Sequence, residues 1–348
     1  MRRVKRTMKV MAAAVLALMV SPTTAQPRVA FTRTFDDVRV RFLITQITGN
    51  PAARAEWGFS AVVEADDARL LFDTGNLPGT VTANAKVLNV PLQGIRDVVL
   101  SHWHFDHTGG IPSVLDVFGQ DGARIYAHAA VFDEKFSSRS TTEQINALRT
   151  QRPVIEGKHG VFDLSDAPRE IRPGLVLTGS IPRPNHDDEK LASGNLMRQG
   201  DRLVVDTVPD EQALVINTRD GLIVVTGCGH AGVVNTIDHV RRLFPGRPIA
   251  ALIGGFHWFA SGELEIAEAG NQLRTRGVAR LVGAHCTLVE PMFTLRQHGW
   301  SRETAAVGTI GNDFFLRRSP ASVANEMTPA PFVVAAHQSV RGSCHGEN

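Results

Sequence analysis

Cysteine is scarce in this chain: three in 348 residues, at positions 228, 286 and 344. An odd count that small cannot form a full disulfide framework. Neither sign of charge dominates, with 37 Lys and Arg against 35 Asp and Glu and a net charge of +2. No basic stripe follows a phosphate backbone, so nucleic acid is not an expected partner. Beyond the first 25 residues no apolar run approaches the roughly 20 residues that a membrane span needs. Low-complexity linkers and fixed-period repeats are missing between about Arg39 and Phe315. What is present is 43% apolar residues, enough to bury one large core.

The ends differ from the middle. Arg2, Arg3, Lys5, Arg6 and Lys9 form a positive region, Val10 to Val20 an apolar one, and Thr23-Thr24-Ala25 a small-residue site. That order reads as an export signal over 1–25, and it implies a periplasmic or secreted protein with no stable membrane insertion after cleavage. Residues 318–348, rich in Ala, Ser, Pro and Thr, read as a disordered tail, and Cys344-His345 within it is too isolated to argue for a metal pair. The expected folded domain is 26–317, a single one.

Within that domain strand-like and helix-like segments alternate. Strands are expected over 38–47, 60–63, 69–72, 97–100, 124–127, 175–178, 213–217, 222–226, 249–253 and 280–283. Helices are expected over 141–150, 233–244 and 264–276. In the second helix Val233, Ile237, Val240 and Phe244 recur at helical spacing, and Pro245-Gly246 ends it. The mixture predicts an α/β fold of two sheets covered by helices.

The densest chemistry lies in Ser101-His102-Trp103-His104-Phe105-Asp106-His107-Thr108-Gly109-Gly110. Three histidines and one aspartate fall within six residues, in the pattern H-x-H-x-D-H. Val98-Val99-Leu100 precedes them and a Gly-Gly-Ile-Pro helix start follows, so a tight loop between a buried strand and a helix is expected. Imidazole and carboxylate are the usual nitrogen and oxygen ligands of zinc and iron. Burying four such groups on one loop without an ion costs roughly 2–7 kcal/mol for each unpaired group.

Further ligands are sought among histidines that follow a strand, because a rigid sheet aims the loops at its strand ends. Three satisfy that test: His230 after Thr226-Gly227-Cys228-Gly229, His257 after Gly254-Gly255-Phe256, and His285 after Gly283-Ala284. The others do not. His239 falls in a helix, His298 near a helix end, His337 and His345 in the tail, and His128 at a strand end with a structural role. His159 and His186 fall in polar loops, where His186 is placed to line a pocket. Asp210-Glu211 before a strand reads as a solvated acidic pair.

The H-x-H-x-D-H segment resembles the metallo-β-lactamase superfamily. Glu56-Trp57-Gly58-Phe59-Ser60, Leu71-Phe72-Asp73-Thr74-Gly75, Ile181-Pro182-Arg183, Asp210-Glu211-Gln212-Ala213-Leu214, Thr226-Gly227-Cys228-Gly229-His230-Ala231-Gly232, Gly254-Gly255-Phe256-His257 and His285-Cys286-Thr287 resemble one branch of it, the dihydropterin-ribofuranosylaminobenzene-phosphate synthase-like group. Leu288 stands where that branch has Gly. The resemblance implies a four-layer αββα sandwich holding one or two divalent ions, zinc first, with iron or manganese as substitutes. It assigns His102, His104 and His230 to one ion and Asp106, His107 and His285 to the other. Cys228, where many members carry a bridging acid, is either a ligand or a small buried residue. His257 is either a ligand or a group that contacts substrate, with substrate contact preferred. Asp73 is expected to orient a ligand histidine. Arg183 either grips an anionic substrate group or lies at the surface. The implied activity is hydrolysis of a small ester, lactone, amide or phosphate ester by a metal-activated hydroxide, with Asp106 and His257 in catalytic roles. The alternatives are a pterin-type transferase and an iron-binding redox or sensor protein.

Overall fold

A computed structural model describes residues 29–185 and 194–317. The export signal read over 1–25, the tail over 318–348, and His186, His337, Cys344 and His345 lie outside them.

The first half of the chain runs β1 (Val38–Ile44), β2 (Ser60–Ala65), β3 (Ala68–Phe72), α1 (Thr80–Val87), β4 (Asp97–Val99), α2 (Phe105–Thr108), α3 (Ile111–Phe118), β5 (Ala123–Ala127), β6 (Lys135–Ser137), β7 (Ser140–Gln144), α4 (Ala147–Gly157), β8 (Gly160–Leu164), β9 (Arg169–Arg172) and β10 (Leu175–Leu177). The second half continues with β11 (Asn195–Gln199), β12 (Arg202–Val205), β13 (Leu214–Thr218), β14 (Gly221–Thr226), α5 (Val233–Leu243), β15 (Ile249–Gly254), α6 (Glu263–Thr275), β16 (Leu281–Gly283), α7 (Glu290–Gln297), β17 (Ala305–Val307) and β18 (Asp313–Leu316).

Two seven-stranded sheets result, in the orders β18-β1-β2-β3-β4-β5-β8 and β17-β16-β15-β14-β13-β10-β9. Side-chain alternation explains how they stack. In β3 Leu70 and Phe72 face the space between the sheets, while Leu71 faces α1 and α3. In β14 Ile223 and Val225 face the first sheet, while Val224 faces α5. Each sheet is thus buried on both faces, which is why β14 reads Gly-Leu-Ile-Val-Val-Thr without a polar alternation. The layers run helix, sheet, sheet, helix: a four-layer αββα sandwich.

A small third sheet, β12-β11-β6-β7, was not foreseen. It also corrects the helix expected over 141–150. Ser140–Gln144 is a strand paired with β6, as β-branched Thr141 and Thr142 favour. The helix begins at Ala147, after Asn146, whose side chain accepts the Arg149 N–H at 3.3 Å.

Candidate metal centre

Parallel strands put the site at one edge of the sandwich. In the first sheet Phe72 and Val99 are register partners, so Asp73 and the loop from Leu100 leave the sheet side by side. In the second, Thr226, Gly254 and Gly283 are in register across β14, β15 and β16. Cys228, His230, His257 and His285 each follow one of those ends by two to four residues. The motif loop is tighter than expected, because Asp106 and His107 already lie in the one-turn helix α2.

Asp106, His107, Cys228 and His285 bring their donor atoms within 4.8 Å of one another, all buried. His107 Nε2 is 3.1 Å from Cys228 Sγ and 3.2 Å from His285 Nε2, and His285 Nε2 is 3.3 Å from Asp106 Oδ2. The other nitrogen of His107, Nδ1, lies 2.7 Å from Asp73 Oδ2. A carboxylate only accepts, so Nδ1 carries a proton and Nε2 is the nitrogen that faces the cluster. Asp73 is itself fixed by the Ser101 N–H and Oγ–H, each at 2.7 Å. A Cβ at Gly227 would overlap Ser101 Oγ and Asp73 Oδ2, so only glycine lets the β14 loop pass this close.

A second group joins His102, Cys228 and His230, and a third joins Cys228, His257 and Cys286. Cys228 belongs to all three. His104 is in none of them, but its Nδ1 lies 2.9 Å from His102 Nε2 and its ring 4.8 Å from that of His230. Neutral imidazoles, a carboxylate and a thiol turned toward one buried space form a donor set that suits zinc or a neighbouring divalent ion. Asp73, His257 and His285 also hold left-handed backbone, with φ of 54°, 53° and 50°. Strain of that kind, of order 1–3 kcal/mol each, persists where the surroundings over-determine the chain.

Electrostatics agrees with a cation cradle. Burial, reinforced by His107, holds His102 well below the ordinary imidazole range, and burial pushes His104 down to about 4. Both rings are therefore neutral, as ligands must be. Burial opposes ionisation of Asp106, yet His107 and His285 beside it hold its carboxyl low. Burial also opposes a charge on His107, but Asp106 and Asp73 push it up to about 9, so an ion bound at Nε2 would displace a proton from that nitrogen.

Other expectations fare differently. Arg183 donates to the carbonyls of Thr207 and Val208. His128 is buried and bonds Ser180 Oγ at 2.7 Å, and His239 reaches Thr178 O at 3.1 Å. The solvated reading of Asp210-Glu211 is wrong. Both are buried, because each carboxylate caps backbone N–H groups of a site loop. Sequence reading also left Cys286 unassigned, although it follows His285 directly. Trp57 and Phe259, 43% and 48% exposed, meet edge to face at 6.0 Å beside His285 and His257.

The model of the family described as "Metallo-beta-lactamase superfamily" matches residues 58–285. The chain is 30% identical over 264 residues to the 7,8-dihydropterin-6-methyl-4-(beta-D-ribofuranosyl)-aminobenzene-5'-phosphate synthase of Methanocaldococcus jannaschii, covering 72% of this chain and 88% of that protein. Among solved structures it is similar to Tm1679, a metal-dependent hydrolase of the beta-lactamase superfamily, at TM-score 0.65 and 24% identity over 79% of this chain and 98% of that one. The metallo-beta-lactamase fold protein YhfI of Bacillus subtilis superposes at TM-score 0.50 and 17% identity, over 81% and 100% of the two chains.

Proposed function

The chain belongs to the metallo-beta-lactamase superfamily, and from that premise we propose that it is a metal-dependent hydrolase of a small ester, lactone, amide or phosphate-ester substrate. The observation that carries this reading is the convergence of Cys228 with all three donor groups, between residues of the two sheets. A divalent ion held there lowers the pKa of water toward ~7 and polarises a carbonyl or phosphoryl oxygen. Asp106, kept ionised by His107 and His285, would be one of the residues holding an ion, and its carboxylate can accept a hydrogen bond from the attacking water. His257 stands at the rim, where its ring meets His230 at 4.2 Å and Phe259 at 5.0 Å. From there it contacts substrate and hands a proton to the leaving group. The exposed corner of Trp57 and Phe259 favours substrates with an apolar or ring-bearing arm.

The test is hydrolysis of aryl esters, lactones and aryl phosphates by chelated protein reloaded with zinc, iron or manganese. His102→Ala and His107→Ala are each expected to reduce turnover to the buffer rate with an unchanged circular dichroism spectrum. Full activity with reduced metal content overturns the assignment. A second reading, a transferase, rests on the similarity to the M. jannaschii synthase. Turnover in H₂¹⁸O separates the two, since hydrolysis puts the label in the product and transfer to another acceptor does not.

A further inference from the structure

One tripeptide touches both halves of the site. Asp210, Glu211 and Gln212, all buried, lie directly ahead of β13. Asp210 Oδ2 accepts the backbone N–H of Trp103 at 2.7 Å, between His102 and His104. Glu211 Oε1 accepts the N–H of His230 at 2.7 Å, and its Oε2 accepts that of Ala231. Gln212 donates from its side chain to Leu100 O at 3.0 Å and from its backbone to Ser101 O at 2.9 Å. Three consecutive residues thus hold the loop after β4 and the loop after β14.

The tripeptide has its own anchor. Lys135, fully buried at the start of β6, lies 2.8 Å from Asp206 Oδ1 and 4.0 Å from Asp210 Oδ1. Asp206 Oδ2 accepts the Trp103 indole N–H at 3.1 Å, and the lysine sits 5.6 Å from the centre of that indole. Between them Val208 has φ 55°, a left-handed backbone that a β-branched residue rarely adopts. Asp206 Oδ1 holds its N–H at 3.0 Å, and its carbonyl accepts Arg183 and the Glu211 N–H. So many bonds on one strained residue fix where the next residues point.

We propose that Asp210-Glu211-Gln212 is a positioning strap that sets the spacing between the β4 and β14 loops, and with it the geometry of the ion position made by His102, Cys228 and His230. The neighbouring position has further supports of its own. Asp73 orients His107, and Thr45 Oγ1 accepts the backbone N–H of His285 at 3.2 Å. The strap therefore acts on one ion position more than the other, which a general structural role does not do. The inference rests on the metal-binding part of the proposed function and not on hydrolysis.

The experiment is a calorimetric titration of the chelated full chain with Zn²⁺, repeated with Co²⁺ to follow the visible spectrum of each step. In Glu211→Gln one oxygen must serve two N–H groups. That variant is expected to weaken one of the two binding steps by about 10–100-fold, the usual effect of losing an outer-shell support, and to shift the cobalt spectrum of that step alone. Gln212→Met, which keeps volume but drops the bond to Leu100, is a second variant if the first does not fold, and is expected to weaken the same step less. Equal weakening of both steps, in proportion to a lower Tm of the ion-free protein, overturns the strap and leaves the metal site standing. Unchanged affinities in both variants overturn it too. A wild-type chain that takes up no ion overturns the strap together with the metal reading beneath it.

Discussion

The two sheets deliver their donors to the site by different routes. The first sheet supplies His102, His104, Asp106 and His107 from a single loop and turn after β4. The second supplies Cys228, His230, His257 and His285 from the ends of three parallel strands held in register. The first set is positioned by local backbone geometry and by carboxylates from outside the loop, Asp73 on His107 and Asp210 on the Trp103 N–H. The second exists only once β14, β15 and β16 have paired and α5 and α6 have covered them. The difference teaches where the site is robust. A substitution in the β4 loop removes a donor and leaves the core intact, whereas a change in register of the second sheet displaces several donors at once.

Cys228 is where the halves meet, and it gives the largest expected effect. Its Sγ shares a donor group with residues of both sheets, so Cys228→Ser replaces a soft sulfur with a weaker oxygen donor at the shared point. That variant is expected to release metal at neutral pH. His257 joins only the group formed by Cys228 and Cys286, so His257→Ala is expected to keep its metal and lose activity by about 10²–10⁴-fold, the range for one positioned acid-base group. Metal stoichiometry of the two purified variants decides between the roles. An ion lost from His257→Ala and none from Cys228→Ser reverses them.

A smaller effect is expected from Asp73→Asn, which probes the first half alone. Asparagine has one acceptor oxygen where Asp73 now serves His107 Nδ1, Ser101 N and Ser101 Oγ. His107 then loses the partner that fixes its tautomer. Metal affinity should fall about 10–100-fold. Competition with a chelator of known affinity measures it, and an unchanged dissociation constant shows that the β4 loop positions His107 unaided.

The two routes also explain what could be read from the sequence. The β4 loop was legible because four donors in six residues have few other physical explanations. His230, His257 and His285 were legible through a weaker rule, strand then small residues then histidine, which worked because the sheet aligns those ends. Asp210 and Glu211 were misread because an acidic pair before a strand usually faces water, and their partners lie far off in sequence at Trp103 and His230. A signal was present: Asp-Glu-Gln runs directly into the wholly apolar Ala213-Leu214-Val215-Ile216, leaving the pair little room to reach solvent. The third sheet escaped because β11 and β12 are short and half polar, although Gly200-Asp201 between them is a hairpin turn signal. Lys135 carried no mark at all, since burial of a lone lysine depends on carboxylates supplied by a distant loop.

The mildest probe of the comparison is the pH response of the strap between the halves. Burial pushes the Asp210 carboxyl up to about 7; Lys135 opposes the shift and Asp206 adds to it. Asp210 therefore keeps its proton in the folded state below about pH 7. In the unfolded chain the same group releases its proton near ~3.9. Between about pH 4 and 7 the folded state therefore binds more protons at Asp210 than the unfolded state does. Stability contributed by this group falls as pH rises through that window, by at most about 1.4 kcal/mol per pH unit, and levels off above 7. The substitution Asp210→Asn removes the titrating group and keeps an acceptor oxygen. In the ion-free protein, the change in urea midpoint from pH 5 to pH 7 is expected to be more positive for Asp210→Asn than for the wild type, because titrations distant from the strap act alike on both chains. Equal pH slopes in the two chains would show that Asp210 does not titrate in this window, in which case the strap holds the Trp103 N–H with a full charge.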